Sequence, residues 1–334
     1  MITTMNTRKI IASFALCLLA FAAATAQDAV PTNRYAMKLE QKPDGTYALQ
    51  REERYAKILN LKEIPDLYVP YVHQNDRLTG KLYNKVQTEE IVYKKYDTYE
   101  LRIAVDLSMA EGPSPVMFFV HGGGWARGTF DSSRSLSKYL AQNHGITGVR
   151  VEYTLAPQPG ANVQVSIADI LDAIQYIRDH AEELKIDTSR MGFCGASAGA
   201  HLSSVAAMLT KEAKVFVGYS GIYDLTTAAI TTRAKDPERI AYFGDLAPAY
   251  LQKASPAYLV PKKCPVAVQL FCGTGDLTVE YSQSVGFADV LKARKTKVVD
   301  LQIYPYYDHN LSAKASDKME EIFFKSVGFI VANI

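Results

Sequence analysis

Arg190-Met191-Gly192-Phe193-Cys194-Gly195-Ala196-Ser197-Ala198-Gly199 is the stretch that decides the fold of this chain. Residues 190–194 read as a short buried strand, and the alanine- and leucine-rich run 198–209 reads as a helix. A serine between two such glycines fits a sharp strand-to-helix turn with a strained backbone and an exposed hydroxyl. Glycine is needed at 195 and 199 because a Cβ there would collide with the tight turn. Ser197 also stands at a helix N-terminus, where free amide donors and the helix dipole favour negative charge. These features make it a candidate nucleophile.

Three other stretches keep it company. Upstream, Phe118-Phe119-Val120-His121-Gly122-Gly123-Gly124-Trp125 is an apolar strand running into a triple-glycine turn. Acyl transfer needs donors aimed at the oxygen that becomes negative, and glycine lets backbone amides come close enough to serve. Downstream, a strand over 266–271 ends in Gly273-Thr274-Gly275-Asp276, and a strand over 298–304 ends in Pro305-Tyr306-Tyr307-Asp308-His309. Serine, aspartate and histidine thus follow in that order, each just past the C-terminal end of a strand, where ligand sites of open α/β sheets collect.

With these residues in place the chain resembles the α/β-hydrolase superfamily. It is most similar to the HGGG-bearing carboxylesterases of the hormone-sensitive-lipase-like and bacterial feruloyl- or acetyl-xylan-esterase-like branches. The resemblance runs from about Ile91 to the C-terminus. It includes Glu152-Tyr153-Thr154-Leu155-Ala156-Pro157, the elbow continuation Ala200-His201-Leu202, Gly221-Ile222-Tyr223-Asp224-Leu225 and Ala254-Ser255-Pro256. Many lipase-like members carry Asp where this chain has Ala196 and Gly where it has Ala200, so the carbohydrate-esterase-like branch fits better. The implied fold is α/β: an α/β-hydrolase sheet, mostly parallel, eight-stranded and twisted, with helices on both faces and a small insert after the sixth strand.

The expected chemistry places Ser197 as nucleophile, His309 as general base and then acid, and Asp276 as the group orienting the imidazole. Backbone amides of Gly123, Gly124 and Ala198 form the expected oxyanion hole. Asp224 and Asp308 compete with Asp276, and His201 competes with His309, although a histidine on the buried elbow helix should pack or hydrogen-bond internally. His121 is expected to brace the glycine loop. Trp125 either walls the acyl pocket or packs. Tyr223, Tyr306 and Tyr307 either form an aromatic surface for substrate or pack. The triad calls for no metal and no organic cofactor.

Residues 1–26 read as a signal peptide, with Arg8 and Lys9 before an apolar stretch and Ala24-Thr25-Ala26 as a cleavage site. The expected location is exported, periplasmic or secreted, with no stable membrane insertion after cleavage. Residues 27–85 are an N-terminal extension of weak periodicity, and 86–334 the catalytic domain, with the insert at about 226–260. Residues 90–95 and 99–107 should pair antiparallel at the sheet edge. Ile167, Ile170, Leu171, Ile174 and Ile177 share one helical face. The last two helices are expected over 282–292 and 314–333.

Without the leader, 35 basic residues balance 35 acidic ones, which gives no basic surplus for nucleic acid and no polybasic block for a membrane surface. Three cysteines remain after cleavage; Cys264 and Cys272 lie at opposite ends of one strand, too far apart to bridge. Free buried thiols are expected. The function expected is an exported serine carboxylesterase for short-chain or carbohydrate-linked acyl esters, its partner a small-molecule or polysaccharide-derived ester. A peptidase or formamidase of the same fold, or a binding protein without turnover, are the alternatives.

Overall fold

The computed structural model of the protein describes residues 85–227, 241–244, 246–305, 307–311 and 317–334. The leader, the extension up to residue 84, Tyr306, residues 228–240 of the insert and residues 314–316 of the last expected helix lie outside the described residues.

Among the described residues one sheet holds β1 (Thr88–Lys95), β2 (Glu100–Asp106), β3 (Ser114–Val120), β4 (Thr147–Val151), β5 (Ile186–Ala196), β6 (Ala213–Tyr219), β7 (Ala267–Gly273) and β8 (Val298–Tyr304). Their spatial order is β1-β2-β4-β3-β5-β6-β7-β8. β2 runs antiparallel to both of its neighbours, and every other pair is parallel. The expected edge hairpin is therefore present. β3, β4 and β7 are buried at every position. That is why β3 reads as an apolar run, since a strand covered on both faces has no polar side to show. β4 and β7 instead carry Arg150 and Gln269, buried and bonded to Asp106 and Asp300.

Helices α1 (Arg134–His144), α2 (Val163–Asp179), α3 (Ala198–Leu209), α4 (Pro248–Lys253), α5 (Pro256–Leu259), α6 (Ser282–Ala293) and α7 (Asp317–Asn333) surround the sheet. Strand side chains alternate between faces. Val116, Phe118 and Val120 of β3 join the core beneath α2, α3 and α6, whereas Met117 and Phe119 join the core beneath α1 and α7. α2 begins where the Asn162 side chain accepts the amides of Gln164 and Val165, each at 3.0 Å, capping two free donors. It buries Ile167, Ile170, Ile174 and Ile177, as their spacing predicts, with Leu171 partly buried at the margin.

The layering fixes where a site can form. From β3 the chain crosses by α1 to β4 on one side, then by α2 to β5 on the other side of β3. Successive crossovers leave on opposite faces, so the C-terminal ends of β3 and β5 flank a topological switch point. The glycine loop leaves β3 there, and Ser197 follows β5. The insert after β6 holds α4 and α5, two short helices each opening on a proline.

Candidate active site

Ser197 has φ 55° and ψ −124°, off the allowed regions for a residue with a Cβ. Such a conformation costs of the order of 1–3 kcal/mol and persists only when its surroundings hold it. They do so here. The Ser197 amide donates to the carbonyl of Tyr219 on β6 at 2.8 Å, and its carbonyl accepts the amide of His201 at 3.1 Å as α3 begins. The flanking glycines are steric requirements. A Cβ on Gly199 would lie 2.1 Å from the Val120 carbonyl oxygen, and one on Gly195 would lie 2.4 Å from the Gly199 backbone. β3, the turn and α3 are packed too closely for any side chain at either position.

His309 faces Ser197 from the loop after β8. Its Nε2 is 2.9 Å from the Ser197 hydroxyl oxygen, and its Nδ1 is 2.7 Å from a carboxylate oxygen of Asp276. A carboxylate can only accept, so Nδ1 carries the proton and Nε2 is left to accept from the serine hydroxyl. Asp276 is buried, its other oxygen accepting the amides of Thr278 and Val279 at 2.7 and 2.8 Å. Both oxygens are thereby occupied and the carboxylate cannot turn away. Among 276, 224 and 308, only Asp276 meets the histidine. Asp224 accepts the amide and hydroxyl of Thr226 in the turn after β6. Asp308 accepts the amide of Asn310, forming the turn on which His309 is presented.

The glycine loop lies against the serine: a Cβ on Gly122 would stand 3.3 Å from the Ser197 Cβ. No described residue accepts a hydrogen bond from the amides of Gly123, Gly124 or Ala198. Gly123, Gly124 and Trp125 have φ of 122°, 62° and 61°, a run of positive values that turns this loop sharply. His121 braces it, as expected. Its Nδ1 is 2.8 Å from the Gly122 carbonyl and its ring stacks on Tyr153 with centroids 4.5 Å apart. Tyr153 in turn donates its hydroxyl to the His121 carbonyl at 3.1 Å. Burial pushes the His121 pKa down, which suits a neutral structural imidazole.

His201 lies in the core of α3, away from the hydroxyl of Ser197 and bonded elsewhere. The indole N–H of Trp125 donates to its Nδ1 at 3.2 Å, and its Nε2 donates to the Ala254 carbonyl at 2.7 Å. Full burial drives its pKa down to about 4. Trp125 is itself buried and stands edge-on to Phe243 with centroids 5.0 Å apart. Of its two expected roles the structure places it in packing.

Two expectations about substrate contact are corrected. Tyr223 is fully buried and stacks on Phe287 at 4.4 Å between centroids, so it cannot form an aromatic surface. Tyr307 is likewise buried, against Tyr304. Both belong to segments that turn inward after their strands, where large apolar rings gain more from the core than from water. Tyr306 lies outside the described residues. Two supports had little or no sequence signal: the Ala254 carbonyl, which any residue could offer, and the amides that grip Asp276. The Asp-x-Thr order at 276–278 is a turn signal consistent with the latter. Cys194, Cys264 and Cys272 are free and buried.

The family model BD-FAE matches residues 105–291, more than half of the chain. Solved structures of esterase 2 from the planctomycete Thermogutta terrifontis are similar in fold. The propionate-bound form has a TM-score of 0.62 at 21% identity over 73% of this chain and 94% of that one. The butyrate-bound form has a TM-score of 0.59 at 22% identity, covering 72% and 95%. The form phosphonylated by sarin has a TM-score of 0.62 at 22% identity, covering 73% and 94%. With the glycine loop, the elbow and the eight-stranded sheet in their places, the chain is an α/β-hydrolase belonging to the BD-FAE family.

Proposed function

We propose that the protein is a serine carboxylesterase that cleaves short-chain or carbohydrate-linked acyl esters through Ser197, His309 and Asp276. The observation that carries this reading is the unbroken donor–acceptor chain from the Ser197 hydroxyl through both nitrogens of His309 to Asp276. As Ser197 attacks an ester carbonyl, Nε2 of His309 takes its proton and then returns it to the leaving alcohol. Asp276 keeps the imidazole in the tautomer that accepts at Nε2 and stabilises the imidazolium once it forms. The negative oxygen of the tetrahedral intermediate is received by amides of Gly123, Gly124 and Ala198, at the N-terminus of α3. Water, deprotonated by His309, repeats the attack on the acyl-enzyme and frees the acid.

Short acyl chains are supported by the propionate- and butyrate-bound forms of the Thermogutta esterase. The sarin-phosphonylated form of that esterase supports a covalent, nucleophilic mechanism. Export to a periplasm or medium is supported by the charged and apolar pattern of residues 1–26. The deciding experiment is hydrolysis of p-nitrophenyl acetate, butyrate and octanoate by the mature chain beside Ser197→Ala. Turnover on the two short esters that disappears in the variant, with a fall toward octanoate, is the expected result. Equal rates in both proteins would remove the esterase reading.

A further inference from the structure

Trp125 is a bulky residue at φ 61°, directly after Gly123 and Gly124 at 122° and 62°. Such a run is kept only where neighbours hold it. Trp125 is held at its backbone and at its side chain. Its carbonyl accepts the amide of Ala156 at 2.8 Å. Its ring stands edge-on to Phe243 and to His201, with centroids 5.0 and 5.6 Å apart. Among the described residues its indole N–H has one acceptor, Nδ1 of His201.

His201 sits one helical turn past Ser197, and its other nitrogen bonds to the carbonyl of Ala254, between α4 and α5. One imidazole therefore joins the glycine loop, the helix of the nucleophile and the insert after β6. Only the neutral ring with its proton on Nε2 can do this, because an indole N–H only donates and a carbonyl only accepts. Packing alone would be served by leucine or phenylalanine, without burying two ring nitrogens.

We infer that His201 is a positioning residue for the oxyanion loop: it holds Trp125, and through it the amides of Gly123 and Gly124, in register with Ser197. The fixed point is Ala254 in the insert. This inference rests on the esterase reading. His201 touches no reacting atom and acts through Trp125. Without the bond the loop relaxes, and its amides lose their aim at a charge that exists only in the transition state. The signature is a fall in kcat at unchanged KM.

Trp125 is the single tryptophan of the chain, so its fluorescence reads the link independently of turnover. Hydrolysis of p-nitrophenyl butyrate and the tryptophan emission spectrum would be compared for wild type, His201→Phe and His201→Gln, with turnover also measured for Trp125→Phe. His201→Phe should lose about 10–100-fold in kcat with KM within about 3-fold, and its emission should change. His201→Gln, whose carboxamide offers one acceptor and one donor, should recover kcat to within about 5-fold and restore the emission. Trp125→Phe should lose kcat as His201→Phe does, and the double variant should be no worse than either single one. A folded His201→Phe with wild-type kcat, a defect confined to KM, or additive losses in the double variant overturns the inference. If His201→Phe does not fold, an unimpaired Trp125→Phe overturns it equally. A wild type with no Ser197-dependent hydrolysis, yet with emission that changes in His201→Phe and is restored in His201→Gln, defeats the esterase reading and this inference with it. The intact fluorescence link tells that failure from the others.

Discussion

The indole N–H of Trp125 donates to Nδ1 of His201 at 3.2 Å, so a histidine one turn from the candidate nucleophile is held as a neutral, bonded member of the core. Its partner set distinguishes it from His309. His309 meets a carboxylate and a hydroxyl, so its Nε2 can take the hydroxyl proton while Asp276 stabilises the charged ring; His201 meets an indole and a carbonyl, which offer no such exchange.

That burial makes stability depend on pH. The pKa of His201 is lowered to about 4 from the ordinary value of 6.5. Between those values the unfolded chain binds a proton that the native one refuses. Its contribution is therefore fully present above about pH 6.5 and is lost as pH falls toward 4, on the order of 3 kcal/mol in all. Urea midpoints at pH 7 and pH 4.5 should differ more for wild type than for His201→Gln. An identical pH dependence in the two proteins would contradict the assignment.

Ser197 carries backbone strain that a glycine would not feel. Ser197→Gly should be more stable than Ser197→Ala by about 1 kcal/mol, because relief of strain exceeds the entropy cost of glycine. Both should be inactive on p-nitrophenyl butyrate. Thermal melts of the pair decide it: equal or reversed stabilities would mean the φ of 55° costs nothing.

Asp276→Asn should lower kcat by roughly 10²–10⁴-fold, since an amide at that position no longer stabilises the imidazolium and can impose the wrong tautomer. Asp224→Asn should leave kcat within about 2-fold, because its carboxylate closes a turn on Thr226. A larger loss at 224 than at 276 would exchange their roles.

Two glycine-to-alanine changes should have opposite effects. Gly199→Ala drives a methyl into the carbonyl oxygens of Val120 and His121, at 2.1 and 2.5 Å, and neither strand nor loop can yield. It should be insoluble or several kcal/mol less stable. Gly286→Ala, exposed within α6 with nothing near its Cβ, should gain about 0.5–1 kcal/mol. Soluble yield and melting temperature of both variants check this.

The elements of the catalytic segment were legible in the chain because they rest on local causes. The elbow shows in Gly195 and Gly199, whose lack of a Cβ is a steric demand of the turn itself. α2 shows in the spacing of its isoleucines, and β3 shows in its apolar run from Val116 to Val120. The order of Ser197, Asp276 and His309 was readable for the same reason, since each follows the end of such a strand. β5 proved longer than its apolar core because Ile186 pairs with Ser114 of β3, ahead of Met191, where pairing with β6 begins.

The fold class, the candidate nucleophile and the strand ends at which its candidate partners stand can be read along the chain. Only the tertiary structure decided which of three aspartates meets His309, that His201 bonds to Trp125 and Ala254, and that Tyr223 and Tyr307 turn inward. Turns and helix faces depend on residues a few positions apart, so their rules can be read along the chain. A loop side chain acquires its partner only when distant strands close into one sheet, and Asp276 and His309 meet across 33 residues because β7 and β8 lie side by side.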